Sequence, residues 1–136
     1  MAKFVVHQEI YTFQIDYSRH VSNVIYIQWM EIARLKLIEA AGMAAHDLGA
    51  GGIVPVLVET SIAYKKPLFL GDKVRIEVWI SDLARASAVM EFRFYNQNND
   101  LAASASQKGL FMELESGRPI RLTPEQRTLF EPFLGD

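Results

Sequence analysis

Asp16, Tyr17, Ser18, Arg19, His20, Ser22 and Asn23 crowd into one short stretch, FQIDYSRHVSN, residues 13–23. A strand-like alternation precedes it and a helical period follows it, so Asp16 falls at the end of one element and a few residues before the start of another. The first turn of a helix carries amide N–H groups with no intrahelical acceptor and the positive end of the helix dipole. A carbonyl placed against those amides is polarised, and an oxyanion formed there is stabilised. A carboxylate beside it can attack the carbonyl carbon or deprotonate a water that does so. Together these groups meet the needs of hydrolysis of an activated acyl compound. The competing reading is that Asp16 only caps a turn.

The elements that would hold this junction can be read from the flanking pattern. Residues 4–15, FVVHQEIYTFQI, predict a strand with Ile10, Thr12 and Gln14 on one face and Tyr11, Phe13 and Ile15 on the other. From Ser22 to about Ala41 the chain is rich in good helix formers and meets Gly42, a C-terminal cap, with Ser22 or Asn23 as the N-cap. Two apolar stripes, Tyr26–Met30–Ala33–Leu37–Ala40 and Ile25–Trp29–Ile32–Leu35, predict a helix enclosed on most sides. Residues 46–55, HDLGAGGIVP, read as a glycine-rich connection; GAGG follows a helix here, whereas a dinucleotide loop follows a strand. Strands are then predicted at about 54–64, in KVRIEVWISDL, in SAVMEFRFYN and in LAASASQKGLFMEL, with a hairpin at NQNND. A turn at Gly117 and Pro119 leads to a short helix with Thr123 as N-cap and Pro124 in its first turn. One strand, one long apolar helix and four antiparallel strands define an α+β fold, with a twisted sheet around a buried helix.

The 136 residues predict a single domain spanning 1–136. With 14 Lys and Arg against 16 Asp and Glu, the net charge is −2 and no basic stripe for nucleic acid is present. There are no cysteines, which excludes disulfides, thiolate metal sites and cysteine nucleophiles. His7, His20 and His46 are too dispersed for a metal site. No signal-peptide pattern or membrane-length apolar run is present, which predicts a cytoplasmic protein with no membrane partner. Phosphate-loop, nucleophile-elbow and zinc-protease motifs are missing. Glu31 and Arg34, three residues apart on the helix, predict an ion pair that helps orient it.

Two separated segments, QIDYSRHVSNVIYIQWMEIAR and SIAYKKPLFLGDKVRIEV, resemble the hotdog-fold acyl-coenzyme A thioesterases of the 4-hydroxybenzoyl-CoA thioesterase type. That family commonly reads D-x-D-x-x-G-H-V-N-N-x-x-Y, later E-x-x-R, and then Y-x-x-P with G-D after a short spacer. Asp16 falls on the second aspartate, the usual catalytic carboxylate; His20, Val21, Asn23, Tyr26, Glu31, Arg34, Tyr64, Pro67, Gly71 and Asp72 match as they stand. Gln14, Arg19 and Ser22 replace the first aspartate, a glycine and the first asparagine. Three roles are open to Arg19: a contact to a coenzyme A phosphate, holding Asp16 as a carboxylate, or narrowing the pocket.

The resemblance implies a five-stranded antiparallel sheet wrapped around one long central helix, assembled as a homodimer or homotetramer with sites at the dimer interface. It implies an acyl-CoA or acyl-carrier-protein thioester as substrate and no cofactor, since coenzyme A is part of that substrate. Asp16, Asn23 and His20 are then the expected catalytic residues. Tyr17, Arg19, Ser22, Tyr26, Glu59, Tyr64, Lys65 and Lys66 are expected to bind substrate, with residues 53–66 of a partner lining the acyl tunnel. Lys65, Lys66 and Arg75 are the expected phosphate contacts. Two other functions fit the same fold: a non-catalytic acyl-CoA-binding module, and a hotdog dehydratase or hydratase pairing a carboxylate with a histidine.

Overall fold

A computed structural model describes residues 3–136; Met1 and Ala2 lie outside the described residues. Five strands form one antiparallel sheet in the order β1-β3-β4-β5-β2. They are β1 Phe4–Gln8, β2 Ile53–Tyr64, β3 Val74–Leu83, β4 Ser87–Tyr95 and β5 Leu101–Glu113. The helix α1, Asn23–Ala40, lies against the concave face and is the core of this hotdog fold.

The packing follows from the strand periods. Val74, Ile76, Val78 and Ile80 of β3 and Met90, Phe92 and Phe94 of β4 point inward and are buried, as their alternation predicts. On β5 the inward positions are small, Ala103 and Ala105, so α1 can approach the middle of the sheet with Trp29, Met30, Ala33 and Leu37. Trp29 is 1% exposed, and truncating so large a core side chain costs on the order of 3–5 kcal/mol.

Four expectations need correction. The first strand ends at Gln8, where its partner β3 begins at Val74, and the chain then forms a 3-10 turn at Thr12–Gln14. Without a neighbouring strand there is no pleat to sustain the alternation: Tyr11 and Phe13 lie exposed, with their rings stacked at 5.8 Å. Gln14 turns inward, and its Oε1 accepts the Tyr11 amide at 2.9 Å. Residues 46–55 are not a plain connection, since Ala45–Ala50 forms a short helix, α2, before Gly52 turns the chain at φ +83°. The long helix is also less enclosed than predicted: Val24, Ile27, Ile32 and Ala40 are exposed, because a single sheet covers only one side of it. Finally, neither proposed N-cap side chain caps that helix. Ser22 occupies the position but makes no side-chain hydrogen bond to the first turn.

Other local readings are matched. Gly42 ends α1 at φ +90°, a backbone conformation open mainly to glycine. Thr123 caps the last helix, α3 (Pro124–Phe130), accepting the Gln126 amide. The strand β2 is an outer edge of the sheet, twelve residues long, with a bulge between Leu57 and Glu59.

Candidate active site

The crowded stretch folds as a miniature antiparallel ladder feeding the helix. Ile15 pairs with Val21; the Asp16 amide donates to the His20 carbonyl at 3.1 Å, and the Ser22 amide to that of Gln14 at 3.0 Å. Tyr17, Ser18 and Arg19 make the tip, closed by the Arg19 amide donating to the Asp16 carbonyl at 2.9 Å. Asp16 is thereby set opposite His20 and two rungs from the start of α1. Its Oδ1 accepts from the Ser18 amide at 2.9 Å and from the Ser18 hydroxyl. These bonds, the Ser18 hydroxyl first, and the nearby His20 hold the Asp16 carboxyl below its ordinary range, so it is ionised at neutral pH.

Arg19 has φ +71°, in the left-handed region where a side chain is strained and glycine is at ease. This explains structurally why a glycine suits the position. The Arg19 side chain is exposed and makes no hydrogen bond or ion pair among the described residues. Holding Asp16 ionised therefore falls to Ser18 and His20 rather than to Arg19.

Because Ser22 leaves the first turn uncapped, the Asn23 and Val24 amides have no acceptor among the described residues. The end of β2 braces this opening: Tyr64 Oη donates to the Asn23 carbonyl at 2.9 Å. A cleft of about 210 Å³ lies here, lined by His20, Asn23, Tyr26, Tyr64, Lys65 and Lys66 among others. Six of the residues singled out in the sequence thus converge. The His20 ring packs edge-on to Phe69 at 6.2 Å, and its Nδ1 is 3.5 Å from the Val21 carbonyl. Burial, reinforced by Tyr64 and Asp72, pushes the Tyr26 phenol up to about 12, so it stays protonated.

Of the other expected residues, Tyr17, Glu59 and Arg75 lie outside this cleft, whereas Lys65 and Lys66 line it. Tyr17 is fully exposed at the tip of the turn. Glu59 sits on the β2 edge, just past the bulge and in register with Lys108. Lys66 is bound to Asp100 at 2.9 Å, and Arg75 is engaged by Asn99, Glu77 and the Tyr95 ring. Lys65 has no side-chain partner among the described residues. No cluster of potential metal ligands occurs among the described residues, and no helix there is long and apolar enough to cross a membrane.

One polar assembly escaped the sequence reading. Arg34 Nη1 donates to the buried Gln107 Oε1 at 2.8 Å, whereas its contact with Glu31 is a looser 3.5 Å. Gln107 sits at an inward β5 position; its place in the period of Ala103 and Ala105 was the available signal.

An ionised carboxylate a short ladder away from an uncapped helix N-terminus is a combination suited to acyl-transfer chemistry. Residues 12–130 match the model of the thioesterase-like superfamily, and the chain belongs to that family. It is 30% identical over 114 residues to the Bacillus subtilis protein named "Putative acyl-CoA thioesterase YneP", covering 82% of this chain and 83% of that one. It is 25% identical to the chloroplastic acyl-acyl carrier protein thioesterase ATL3 of Arabidopsis thaliana, covering 95% of this chain and 68% of that one. A DHNA-CoA thioesterase structure from Staphylococcus aureus superposes with a TM-score of 0.90 at 24% identity, covering 96% of this chain and 89% of that one, which shows the shared fold.

Proposed function

We propose that this protein hydrolyses the thioester of an acyl-CoA, or of an acyl carrier protein, to a free acid and a thiol. The observation that supports this best is the ionised Asp16 two rungs from the free Asn23 and Val24 amides. The thioester carbonyl oxygen sits against those amides, which stabilise the oxyanion as the carbonyl carbon becomes tetrahedral. Asp16 either takes a proton from the water that attacks this carbon or attacks it directly, leaving an anhydride that water then opens. In both routes the carbon–sulfur bond breaks, and the thiolate leaves and takes up a proton. His20, partly buried beside Asp16, helps keep that carboxylate charged. Lys65 and Arg19, cationic and without a side-chain partner among the described residues, are the candidates to meet anionic parts of the carrier.

A second copy of the chain completes the site in this reading. The long β2 edge exposes Val56 and Val58, and the open side of α1 exposes Val24, Ile27 and Ile32. An exposed apolar edge of this length is a template for pairing with another strand. Pairing there would bring the partner's edge strand, with Glu59, toward the substrate.

The test is a panel of aliphatic and aromatic acyl-CoAs with thiol release as readout, run on wild type and Asp16→Asn. The expected result is turnover by wild type and a loss of about a hundredfold or more in kcat for the variant. Absence of thiol release from every thioester, or a fully active variant, would overturn the assignment.

A further inference from the structure

Tyr26 is only 3% exposed, and its ring is held by Tyr64, Phe94 and Trp29 at centroid distances of 5.1, 5.3 and 5.6 Å. The ring therefore serves the core. The hydroxyl does not: it makes no hydrogen bond among the described residues, although Tyr64, its neighbour, is fully engaged with Asn23. The hydroxyl is nonetheless not among the side-chain polar atoms sealed in the core without a partner, so what little of Tyr26 reaches the surface includes its oxygen, and the cleft that Tyr26 lines is where that oxygen can meet a ligand.

The position of this hydroxyl indicates what it is for. Tyr26 lines the cleft that also holds Asn23 and His20. It follows Asn23 by three residues, so the two share a face of α1. Side chains on a helix lean toward its N-terminus and cover the preceding turn, here the turn with the free Asn23 and Val24 amides. Its proton is retained across the working pH range, so it is a standing donor.

Resting on the thioesterase reading, we propose that Tyr26 Oη donates a hydrogen bond to the thioester carbonyl oxygen, as a side-chain member of the same oxyanion site as the Asn23 amide. The substrate would then supply the acceptor that the fold withholds, and the bond would strengthen as negative charge builds on that oxygen.

Tyr26→Phe tests this with little structural disturbance, because the ring stays and no internal hydrogen bond is lost. The expected result is a fall of about a hundredfold in kcat, with kcat/KM falling equally and KM changed less than about twofold. The melting temperature should stay at the wild-type value. Wild-type kcat in the variant would overturn the proposal while leaving the thioesterase reading intact. A raised KM with kcat unchanged would do the same, by placing the hydroxyl on a part of the substrate whose charge does not change. A variant that fails to fold would overturn the premise of an idle hydroxyl and the proposal with it. A wild type that hydrolyses no thioester would remove both readings.

Discussion

Tyr64 Oη donates to the Asn23 carbonyl oxygen at 2.9 Å, tying the last residue of β2 to the first residue of α1. The bond braces the first turn of α1 at the edge of the cleft, so a residue far away in sequence sets the geometry of the proposed oxyanion site. Tyr64→Phe removes the bond and keeps the ring against Tyr26. The expected cost is about 0.5–1.5 kcal/mol of stability, read as a lowered melting temperature. A parallel fall in kcat is expected because the first turn loses its brace.

Asp16 gives a second prediction, in pH. Its folded-state carboxyl is held below the ordinary range by the Ser18 hydroxyl above all, so the carboxylate proposed to be catalytic exists above that lowered value and is lost only as pH falls through it. The acid limb of kcat/KM should therefore lie below the ~3.9 of an ordinary aspartate. Ser18→Ala removes the largest cause and should move the limb upward, leaving the plateau near neutral pH in place. An unmoved limb in this variant would show that another group sets it.

These two residues also show what a sequence can reveal. That Asp16, His20 and Asn23 are placed together was legible because they lie within eight positions at the entry to one helix. Tyr64 was legible as a motif residue but its bond to a backbone carbonyl was not, since that depends on where the end of β2 meets α1. The order β1-β3-β4-β5-β2 was likewise hidden: alternation gives faces, not neighbours. The same limit explains the overlong first strand, whose pattern continues past Gln8 although its partner does not. Arg34–Gln107 spans 73 positions and carries no local signal beyond one polar residue in an apolar period.

Arg19 offers a test of strain. At φ +71° it adopts a conformation that costs a side chain on the order of 1 kcal/mol and glycine very little. It also makes no compensating contact among the described residues. Arg19→Gly should therefore hold or raise stability despite the extra freedom glycine gives the unfolded chain. If Arg19 meets an anionic part of the carrier, the variant will also show a raised KM for acyl-CoA with kcat little changed, and the difference will shrink at high salt. A destabilised Arg19→Gly protein would mean that the side chain has a folded-state partner.

The edge strand carries the last prediction. Val58 is the extra residue of the β2 bulge and is 50% exposed, next to Val56 and Leu57, which are also exposed. Such an edge is normally protected by charge, by proline or by a partner; here Ile53–Val58 carries no charge, and Pro55 pairs with Phe111 within the sheet. Pairing with a second copy around a two-fold axis puts like residues of the two edges close together, so a charge introduced there meets itself. Val58→Lys should shift the protein toward monomer in sedimentation. Because Val58 makes no ladder pair within its own sheet, the monomer should retain its helical and strand content. Thiol release should fall with the loss of the proposed dimer, in which the partner's residues 53–66 line the acyl tunnel, and it should recover partly at high protein concentration. An unchanged mass and rate would remove the β2 edge from the assembly.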